Sequence, residues 1–445
     1  MSLQWILTHS FYAKLLAVKR VTANKGKNTP GMDGVIWKTS SQKIKGALSL
    51  TRKGYKASPL RRVYIPKANG KKRPLGIPTI KDRAMQALFY MALIPIAETN
   101  ADLNSYGFRP KRSCADAIGQ CFIVFGQKKA AQWVLEADIK GCFDHISHQW
   151  LLEHIPMDKQ VLRKWLKAGI IEHDQFSRSI AGTPQGGIIS PVLANLALDG
   201  LEGQIDQACG IKRHDTGQKC NKGTHPKINF VRYADDFVVS AEQKSSLEEG
   251  VLPTVVTFLK ERGLTIQAEK TKITHIEQGF DFLGQTVRKF DGVLLIKPSK
   301  KSIKTIKRKA FEIIKNSHSL RADQLIQQLN PVLRGWANYH RHVVSSRAFS
   351  GIDNAIYLAL WRWARRRHSK KSQRWIARKY FIPLGNRNGV FATKNGDKTV
   401  ILFRMENIKI ERFIKVRNRA NPFDEEWASY FECRKFSRVR KANKN

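Results

Sequence analysis

The sequence lacks the features of membrane and secreted proteins. No apolar run is long enough to cross a bilayer, because the longest candidate, residues 84–97, is interrupted by Gln86 and Pro95. There are 6 Cys in 445 residues and no Cys-x-x-Cys pair, which indicates a reduced compartment without a disulfide framework. The amino-terminal residues show no signal-peptide core, and no Gly-Lys-Ser/Thr P-loop occurs. We therefore expect a cytoplasmic protein with no membrane partner.

Acidic residues are also scarce. The chain has 36 Asp and Glu against 79 Lys and Arg, a formal net charge of +43. Such an excess requires a polyanionic partner, and nucleic acid is the first candidate. Aromatic residues make up 9% of the chain and include 10 Trp, which favours packed domains over a disordered basic chain. Residues 301–445 carry 34 basic and 10 acidic residues, so most acids lie in the first two thirds, where some are candidates for holding a metal.

Strand-like and helical stretches follow one another without a regular βαβ repeat, which predicts an α+β architecture. A strand at residues 61–66, the turn Asn69-Gly70 and a strand at 73–77 form a predicted hairpin. Helices are predicted at residues 82–97 and 158–171, the second capped by Asp158 and stopped near Gly169, and the region 299–381 is nearly all helical. From residue 384 onward the sequence is irregular and basic.

Three aspartates stand at the ends of predicted strands. Residues 228–233 and 237–239 predict a hairpin with Asp235 and Asp236 at its turn, and residues 133–138 predict a strand that ends at Asp138. Adjacent acids between apolar strands repel each other unless a cation neutralises them. If these strands are neighbours, Asp138 and Asp235 can hold two Mg²⁺ ions in the arrangement that polymerases use. The alternative is that these are ordinary surface acids in turns.

The tetrapeptide Tyr233-Ala234-Asp235-Asp236 is similar to the signature of reverse transcriptases. Further blocks occur in that family's order, at residues 62–67 with 72–78, 105–110, 137–143, 182–191 and 279–284. Residues 24–34 and 334–340 resemble, more narrowly, the bacterial group II intron-encoded reverse transcriptase/maturases. The resemblance extends over nearly the whole chain, and blocks in this order are far more specific than one tetrapeptide.

The resemblance implies a right-hand polymerase fold with fingers and palm, followed by an all-helical thumb, or maturase X domain. The implied regions are an N-terminal extension at 1–50, fingers and palm at 51–297, the thumb at 298–383 and a basic nucleic-acid-binding tail at 384–445. Many relatives continue into an HNH endonuclease with Cys pairs, which this sequence does not show, so we expect no second-strand nuclease. The amino terminus is shorter than in many relatives, which leaves the extent of activity open.

The resemblance also assigns roles to individual residues. Asp138, Asp235 and Asp236 match the catalytic aspartates, and together with the backbone carbonyl of Ile139 they would hold two Mg²⁺ ions. The residues that match nucleotide-binding positions are Lys67, Arg73, Phe143 and Gln185. A point charge and a planar guanidinium suit triphosphate oxygens, and an aromatic ring would lie against the sugar. The alternatives are solvated charges on a hairpin, a Phe that belongs to the core, and a simple glycine turn at 186–187.

Arginine and tryptophan alternate in the region that resembles the thumb. We predict that the run Arg365, Arg366 and Arg367 binds RNA, and that most of the Trp residues pack in the core.

Four potential zinc ligands lie within 17 residues, but their spacing fits no common zinc finger. They are Cys209, His214, Cys220 and His225.

The sequence therefore predicts an RNA-directed DNA polymerase that copies group II intron RNA from a DNA primer or target with deoxynucleoside triphosphates, and that binds the intron RNA to assist splicing. Two alternatives stay open. One is a splicing protein whose polymerase is vestigial, against which the intact acids argue, because RNA binding alone needs none of them. The other is a reverse transcriptase domesticated for host defence, which the presence or absence of a surrounding group II intron would distinguish.

Overall fold

The computed structural model describes residues 2–66, 70, 72–184, 186–214, 227–395, 398–411 and 413–434. The chain forms two compact units. The first consists of Met1–Gln120, Lys129–Thr274 and Val416–Asn445, and the second consists of Cys121–Lys128 and His275–Lys415. Three separate stretches of chain therefore build the first unit.

Helices and strands alternate irregularly along the chain, as the α+β prediction requires. The α-helices are α1 (Ser2–His9), α2 (Phe11–Ala23), α3 (Ser40–Leu48), α4 (Ile80–Asn100), α5 (Cys114–Phe125), α6 (Cys142–His145), α7 (His148–His154), α8 (Lys159–Leu166), α9 (Ser190–Leu198), α10 (Leu201–Ala208), α11 (Leu252–Glu261), α12 (Lys300–Asn316), α13 (Ala322–His340), α14 (Ser346–Arg367) and α15 (Gln373–Tyr380). The strands are β1 (Leu60–Pro66), β2 (Lys72–Ile77), β3 (Trp133–Asp138), β4 (Ile170–Glu172), β5 (Gln175–Ser177), β6 (Asn229–Tyr233), β7 (Asp236–Ala241), β8 (Lys272–His275), β9 (Phe280–Phe282), β10 (Gln285–Phe290), β11 (Val293–Pro298), β12 (Phe381–Leu384), β13 (Arg387–Asn395) and β14 (Lys398–Ile401).

The first unit contains two sheets and a central helix. One sheet has the order β6-β7-β3-β8 and the other the order β2-β1-β4-β5. Helix α4 is buried along most of its length, and it begins where the Thr79 hydroxyl accepts a hydrogen bond from the Asp82 backbone N–H (3.1 Å). The predicted helix at 82–97 is confirmed within longer bounds. The predicted strands at 61–66 and 73–77 are confirmed as the antiparallel pair β1 and β2, and Asn69 of the predicted turn lies outside the described residues.

The prediction of a helix over residues 158–171 is wrong at its C-terminal end. Asp158 caps α8 as expected, by accepting hydrogen bonds from two backbone N–H groups. The helix ends at Leu166, and Gly169 then takes a φ of +73°, a conformation that glycine adopts at little cost. Ile170 and Ile171 pair with β1 in parallel instead, so contacts with a distant strand decide the structure of these two residues.

The second unit combines α12–α15 with the sheets β11-β10-β9 and β12-β13-β14. Leu325, Leu329 and Leu360 lie in its core. Trp363 is buried and donates its indole N–H to the Ser317 carbonyl (2.9 Å). Trp361 stacks on Phe381 with ring centroids 4.5 Å apart. The nearly all-helical pattern predicted for 299–381 is confirmed, and so is the packing of these two Trp side chains.

The prediction of an irregular chain from residue 384 onward is wrong for the segment that β13 and β14 occupy. Phe391 and Met405 are buried in the core of the second unit, where Phe391 packs against Trp363 and Tyr380. β13 contains Gly389 and polar residues and β14 has only four residues, so their own pattern is weak and packing against the helices determines them. The predicted region 384–445 is thus divided between the two units, and the four region bounds stay predictions.

No helix in the part of the chain that the structure describes has the length and apolar character needed to cross a bilayer.

Candidate active site

The two adjacent aspartates lie at the turn of a tight hairpin. Strands β6 and β7 are rich in Val and Phe, and they pair so that Tyr233 lies opposite Asp236. Only Ala234 and Asp235 connect them. Ala234 has a φ of +58°, which is uncommon for a residue with a side chain and marks a strained turn. The prediction of a hairpin around these acids is confirmed.

The third aspartate meets the hairpin in the same sheet. Strand β3 pairs with β7 in antiparallel fashion, and Asp138 at its end lies directly opposite Asp236. Side chains of opposed residues on neighbouring strands are about 4.5–5.5 Å apart at their Cβ atoms. The fold therefore collects Asp138, Asp235 and Asp236 at one end of one sheet, and the buried Ile139 follows directly.

The charges of these carboxylates act on one another. Burial, followed by the charge of Asp138, raises the pKa of Asp235 above its usual range. Burial and then the charges of Asp235 and Asp138 raise the pKa of Asp236 to about 6, although its side chain reaches solvent. The charge of Lys270 lowers both pKa values without cancelling the rise. Closely spaced carboxylates are hard oxygen ligands of the kind that suits Mg²⁺.

Lys270 is a site residue that the sequence analysis missed. Its ammonium forms a salt bridge with Asp138, and its charge counters the rise in the pKa of Asp235 and Asp236. The neighbouring Gln267 backbone N–H donates to the Asp138 carbonyl (2.8 Å), which fixes the end of β3. Among the described residues, no three His, Cys, Asp or Glu side chains are grouped so that they could hold a metal ion. The Asp138 carboxylate is paired with the Lys270 ammonium.

A buried arginine supports the hairpin from behind. The side chain of Arg232 is fully buried, forms an ion pair with Asp199 and lies 3.8 Å from Asp102. It also donates to the Asn195 side chain (3.3 Å), whose amide donates to the Gly107 carbonyl (2.9 Å). These contacts connect the strand that leads to Asp235 with the segment around Gly107.

That segment is the loop between α4 and α5, residues 102–112, which we call the 102–112 loop. Its Tyr106 backbone N–H donates to the Arg232 carbonyl, and the Arg232 N–H donates to the Asn104 carbonyl (both 2.9 Å). Gly107 lies so close to the turn that a Cβ atom there would overlap the backbone nitrogen of Ala234. Arg109 holds the loop in shape through a bidentate pair with Glu98 and hydrogen bonds to two loop carbonyls.

The structure places two of the four predicted nucleotide-binding residues, and Lys67 and Gln185 lie outside the described residues. Arg73, on β2, is close enough that its charge lowers the pKa of Asp235. Phe143 is half-buried in α6, and its ring meets the edge of Phe108 with centroids 6.1 Å apart. It is therefore neither a fully buried core residue nor a free surface ring.

The glycine loop before α9 is held by a residue that the sequence analysis did not single out. The buried Gln86 of α4 accepts a hydrogen bond from the Ile188 backbone N–H (2.9 Å). A Cβ atom on Gly186 would come within 2.9 Å of the Gly76 carbonyl oxygen of β2, so the loop packs directly on that strand. Glycine at 186 is required by this close approach.

The predicted RNA-binding arginines differ in their surroundings. Arg365 and Arg366 are exposed in the last turn of α14. Arg367 donates to the carbonyls of His318 (2.8 Å) and Leu320 (2.7 Å), so it stabilises the connection between α12 and α13. Of the possible zinc ligands, Cys209 and His214 are described, and Cys220 and His225 lie outside the described residues, so a zinc site there stays a prediction.

Comparison with known families places the chain in a class. A model described as reverse transcriptase (RNA-dependent DNA polymerase) matches residues 65–287, about half of the chain. The chain therefore belongs to the reverse transcriptase family. Within that family it is of the group II intron type, since a model of the group II intron maturase-specific domain matches residues 303–381. A model of the N-terminal domain of reverse transcriptase matches residues 1–50.

Individual relatives agree with this assignment. Protein YkfC of Escherichia coli K12 is 34% identical over 303 residues, which cover 61% of this chain and 79% of that protein. The group II intron-encoded protein LtrA of Lactococcus lactis subsp. cremoris is 32% identical over 328 residues, and the match covers 61% of this chain but only 54% of LtrA. A solved telomerase from Candida albicans is similar over 72% of this chain and 64% of its own, at 12% identity and with a TM-score of 0.36.

The close approach of Gly107 to the turn can be tested by substitution. Gly107→Ala forces the turn or the loop to move, and we expect DNA synthesis on a primed RNA template to fall by about 100-fold, since a displacement near 1 Å can cost this much. Gly203→Ala is the control, because that glycine lies in α10 with open space around it and alanine favours a helix. Equal activity of the two variants would contradict the structural role of Gly107.

Proposed function

We propose that the chain is an RNA-directed DNA polymerase that copies group II intron RNA and also binds that RNA to assist splicing. The observation that carries the proposal is the register of the sheet, in which Asp138 lies opposite Asp236 beside the turn that bears Asp235. In this proposal the sheet β6-β7-β3-β8 is the palm and the sheet β2-β1-β4-β5 belongs to the fingers. Helices α12–α15 form the thumb.

Asp138, Asp235 and Asp236, with the backbone carbonyl of Ile139, would hold two Mg²⁺ ions. When bound, Mg²⁺ supplies activation of the primer 3′-hydroxyl and neutralisation of triphosphate charge. The environment of Asp235 and Asp236 supports this proposal: burial raises both pKa values first, neighbouring carboxylates add to the rise, and Lys270 offsets it only in part. Lys270 would hold the Asp138 carboxylate in place while the site is assembled.

The deoxynucleoside triphosphate would lie between β2 and the carboxylates. Arg73 and Lys67 would bind phosphate oxygens, and Gln185 would contact the nucleotide. The influence of Arg73 on Asp235 supports this position for its side chain. Phe143 would lie against the deoxyribose and would exclude a 2′-hydroxyl.

The splicing role would belong to the second unit, which contains the region matched by the maturase-specific model. The exposed Arg365 and Arg366 would contact phosphates of the intron RNA. A DNA primer or target would be the other nucleic acid partner. The chain spans only about half of LtrA, so the activities of the whole relatives are included here as proposals.

The first test removes one carboxylate without changing the turn. Asp235→Asn should abolish Mg²⁺-dependent DNA synthesis by purified protein on a primed RNA, while RNA affinity stays within a few-fold, because the residue serves the metal and contributes little to RNA binding. The matched control is Asp174→Asn, an exposed aspartate in the two-residue turn between β4 and β5. Undiminished synthesis by Asp235→Asn would refute the active-site assignment.

Phe143→Ala tests sugar discrimination. If the ring excludes the 2′-hydroxyl, the ratio of kcat/KM for ribonucleotides to that for deoxyribonucleotides should rise about tenfold, equal to roughly 1.4 kcal/mol. If Phe143 serves only packing, the variant should have a lower melting temperature and the same substrate ratio. Phe176→Ala is the control, since that ring is 55% exposed on β5. Both substrates and the melting temperature are measured on one preparation.

The third test distinguishes the roles of the arginines at the end of α14 in RNA binding and in stability. Replacing Arg365 and Arg366 with Ala should weaken RNA binding and reduce the slope of log K against log salt by about 1.5, at about 0.7–0.9 for each lost phosphate contact. Arg367→Ala should instead lower the melting temperature, because it removes hydrogen bonds to two carbonyls. An unchanged slope for the double variant would show that these two side chains do not contact RNA.

A further inference from the structure

Residues 416–434 return to the first unit after the chain has built the second. We call them the 416–434 segment. Val416 and Ala420 are buried, and Arg434 is only 9% exposed. The resemblance predicted a basic nucleic-acid-binding tail here, yet the guanidinium of Arg434 is enclosed by protein. This part of the segment is therefore an integral part of the polymerase unit.

Asp116 of α5 anchors both ends of the segment. Its carboxylate is fully buried and accepts hydrogen bonds from the Val416 backbone N–H (2.7 Å) and from the Arg434 guanidinium (2.6 Å). The same carboxylate accepts the N–H and hydroxyl of Ser113, which begins α5. Since a buried carboxylate is costly without such partners, the segment and the start of α5 are fixed to each other.

The segment also contacts the 102–112 loop directly. Arg112 donates to the Asn418 carbonyl (2.6 Å) and, on the other side, to the Leu103 carbonyl (3.2 Å). The Asn418 amide donates to the side chain of Asn104 (3.0 Å). Arg434 reaches the far end of the loop, where it donates to the Lys111 carbonyl (3.0 Å). Three points of the loop are thus held from the segment.

The other side of this loop holds the catalytic turn. Asn104 and Tyr106 exchange backbone hydrogen bonds with Arg232, and Gly107 leaves no gap to Ala234. The loop therefore lies between the 416–434 segment and the hairpin that carries Asp235. Because Gly107 leaves no gap to Ala234, a shift of the loop would displace the turn.

We propose that the 416–434 segment sets the position of the catalytic hairpin through the 102–112 loop, so that Asn418 and Arg434 are positioning residues for DNA synthesis. This inference rests on the proposed polymerase function. Neither residue contributes a charge to an exposed surface, since Asn418 is neutral and Arg434 is committed to Asp116. Loss of either should lower the rate of nucleotide addition and leave the affinity for RNA unchanged.

The test is single-nucleotide primer extension by the full chain under single-turnover conditions, which separates the rate of addition from the apparent Kd of the nucleotide. Asn418→Ala and Arg434→Gln should each lower the rate by about 5–10-fold, with the Kd values for nucleotide and primed RNA within about twofold. Arg434→Lys retains the charge toward Asp116 and should recover part of the rate. If Arg434→Gln does not fold, the result for Asn418→Ala is decisive, because this variant removes the hydrogen bond to Asn104 without removing a charge.

Arg419→Ala is the matched control, because Arg419 is an exposed cation of the same segment. If the segment acts by positioning the hairpin, Arg419→Ala should have a normal rate of nucleotide addition. A full rate of nucleotide addition in Asn418→Ala would overturn the proposal. It would also be overturned if Arg434→Gln and Arg419→Ala lost RNA affinity equally and this loss explained the whole decrease in synthesis. Absence of synthesis by the unaltered chain would instead refute the proposed function, so the two failures are distinguishable.

Discussion

The arrangement of the three aspartates in the first unit depends on one buried guanidinium. Arg232 stands three residues before Asp235, its side chain has no access to water, and its partners Asp199 and Asp102 come from two other parts of the chain. A charge in this position is tolerated only while its partners remain, because an isolated buried charge is very costly. The ion pairs therefore fix β6, the end of α9 and the 102–112 loop as one arrangement, and the three aspartates take their places from it.

Much of the site could be predicted from local patterns. Apolar, β-branched runs on both sides of Asp235 and Asp236 predicted the hairpin, and a similar run ending at Asp138 predicted the neighbouring strand. That these strands are neighbours was an assumption, because periodicity along one strand does not say which strand it pairs with. The structure confirms it, since Asp138 of β3 lies opposite Asp236 of β7.

The residues that were missed all act across long distances in the sequence. Lys270 reaches Asp138 over 132 positions, and Asn418 reaches Asn104 over 314. Nothing in the local sequence distinguishes Lys270 from the many other lysines of so basic a chain. Arg367 shows what packing adds: its place in an arginine run predicts an RNA-facing side chain, and its exposed guanidinium also donates to two backbone carbonyls. Composition identifies the kind of partner, but packing decides which cations are available to it.

The order of the segments in the first unit has a consequence for synthesis on the ribosome. Domains generally fold as they emerge, from the amino terminus onward. Here residues 275–415 intervene before Val416 can reach Asp116, so the first unit acquires its last hydrogen bonds only after the second unit has been made. A nascent chain that stops within the second unit carries all three aspartates but lacks the contacts to Asn104, Lys111 and Asp116. Completion of the polymerase unit is thereby coupled to completion of the region that resembles a maturase.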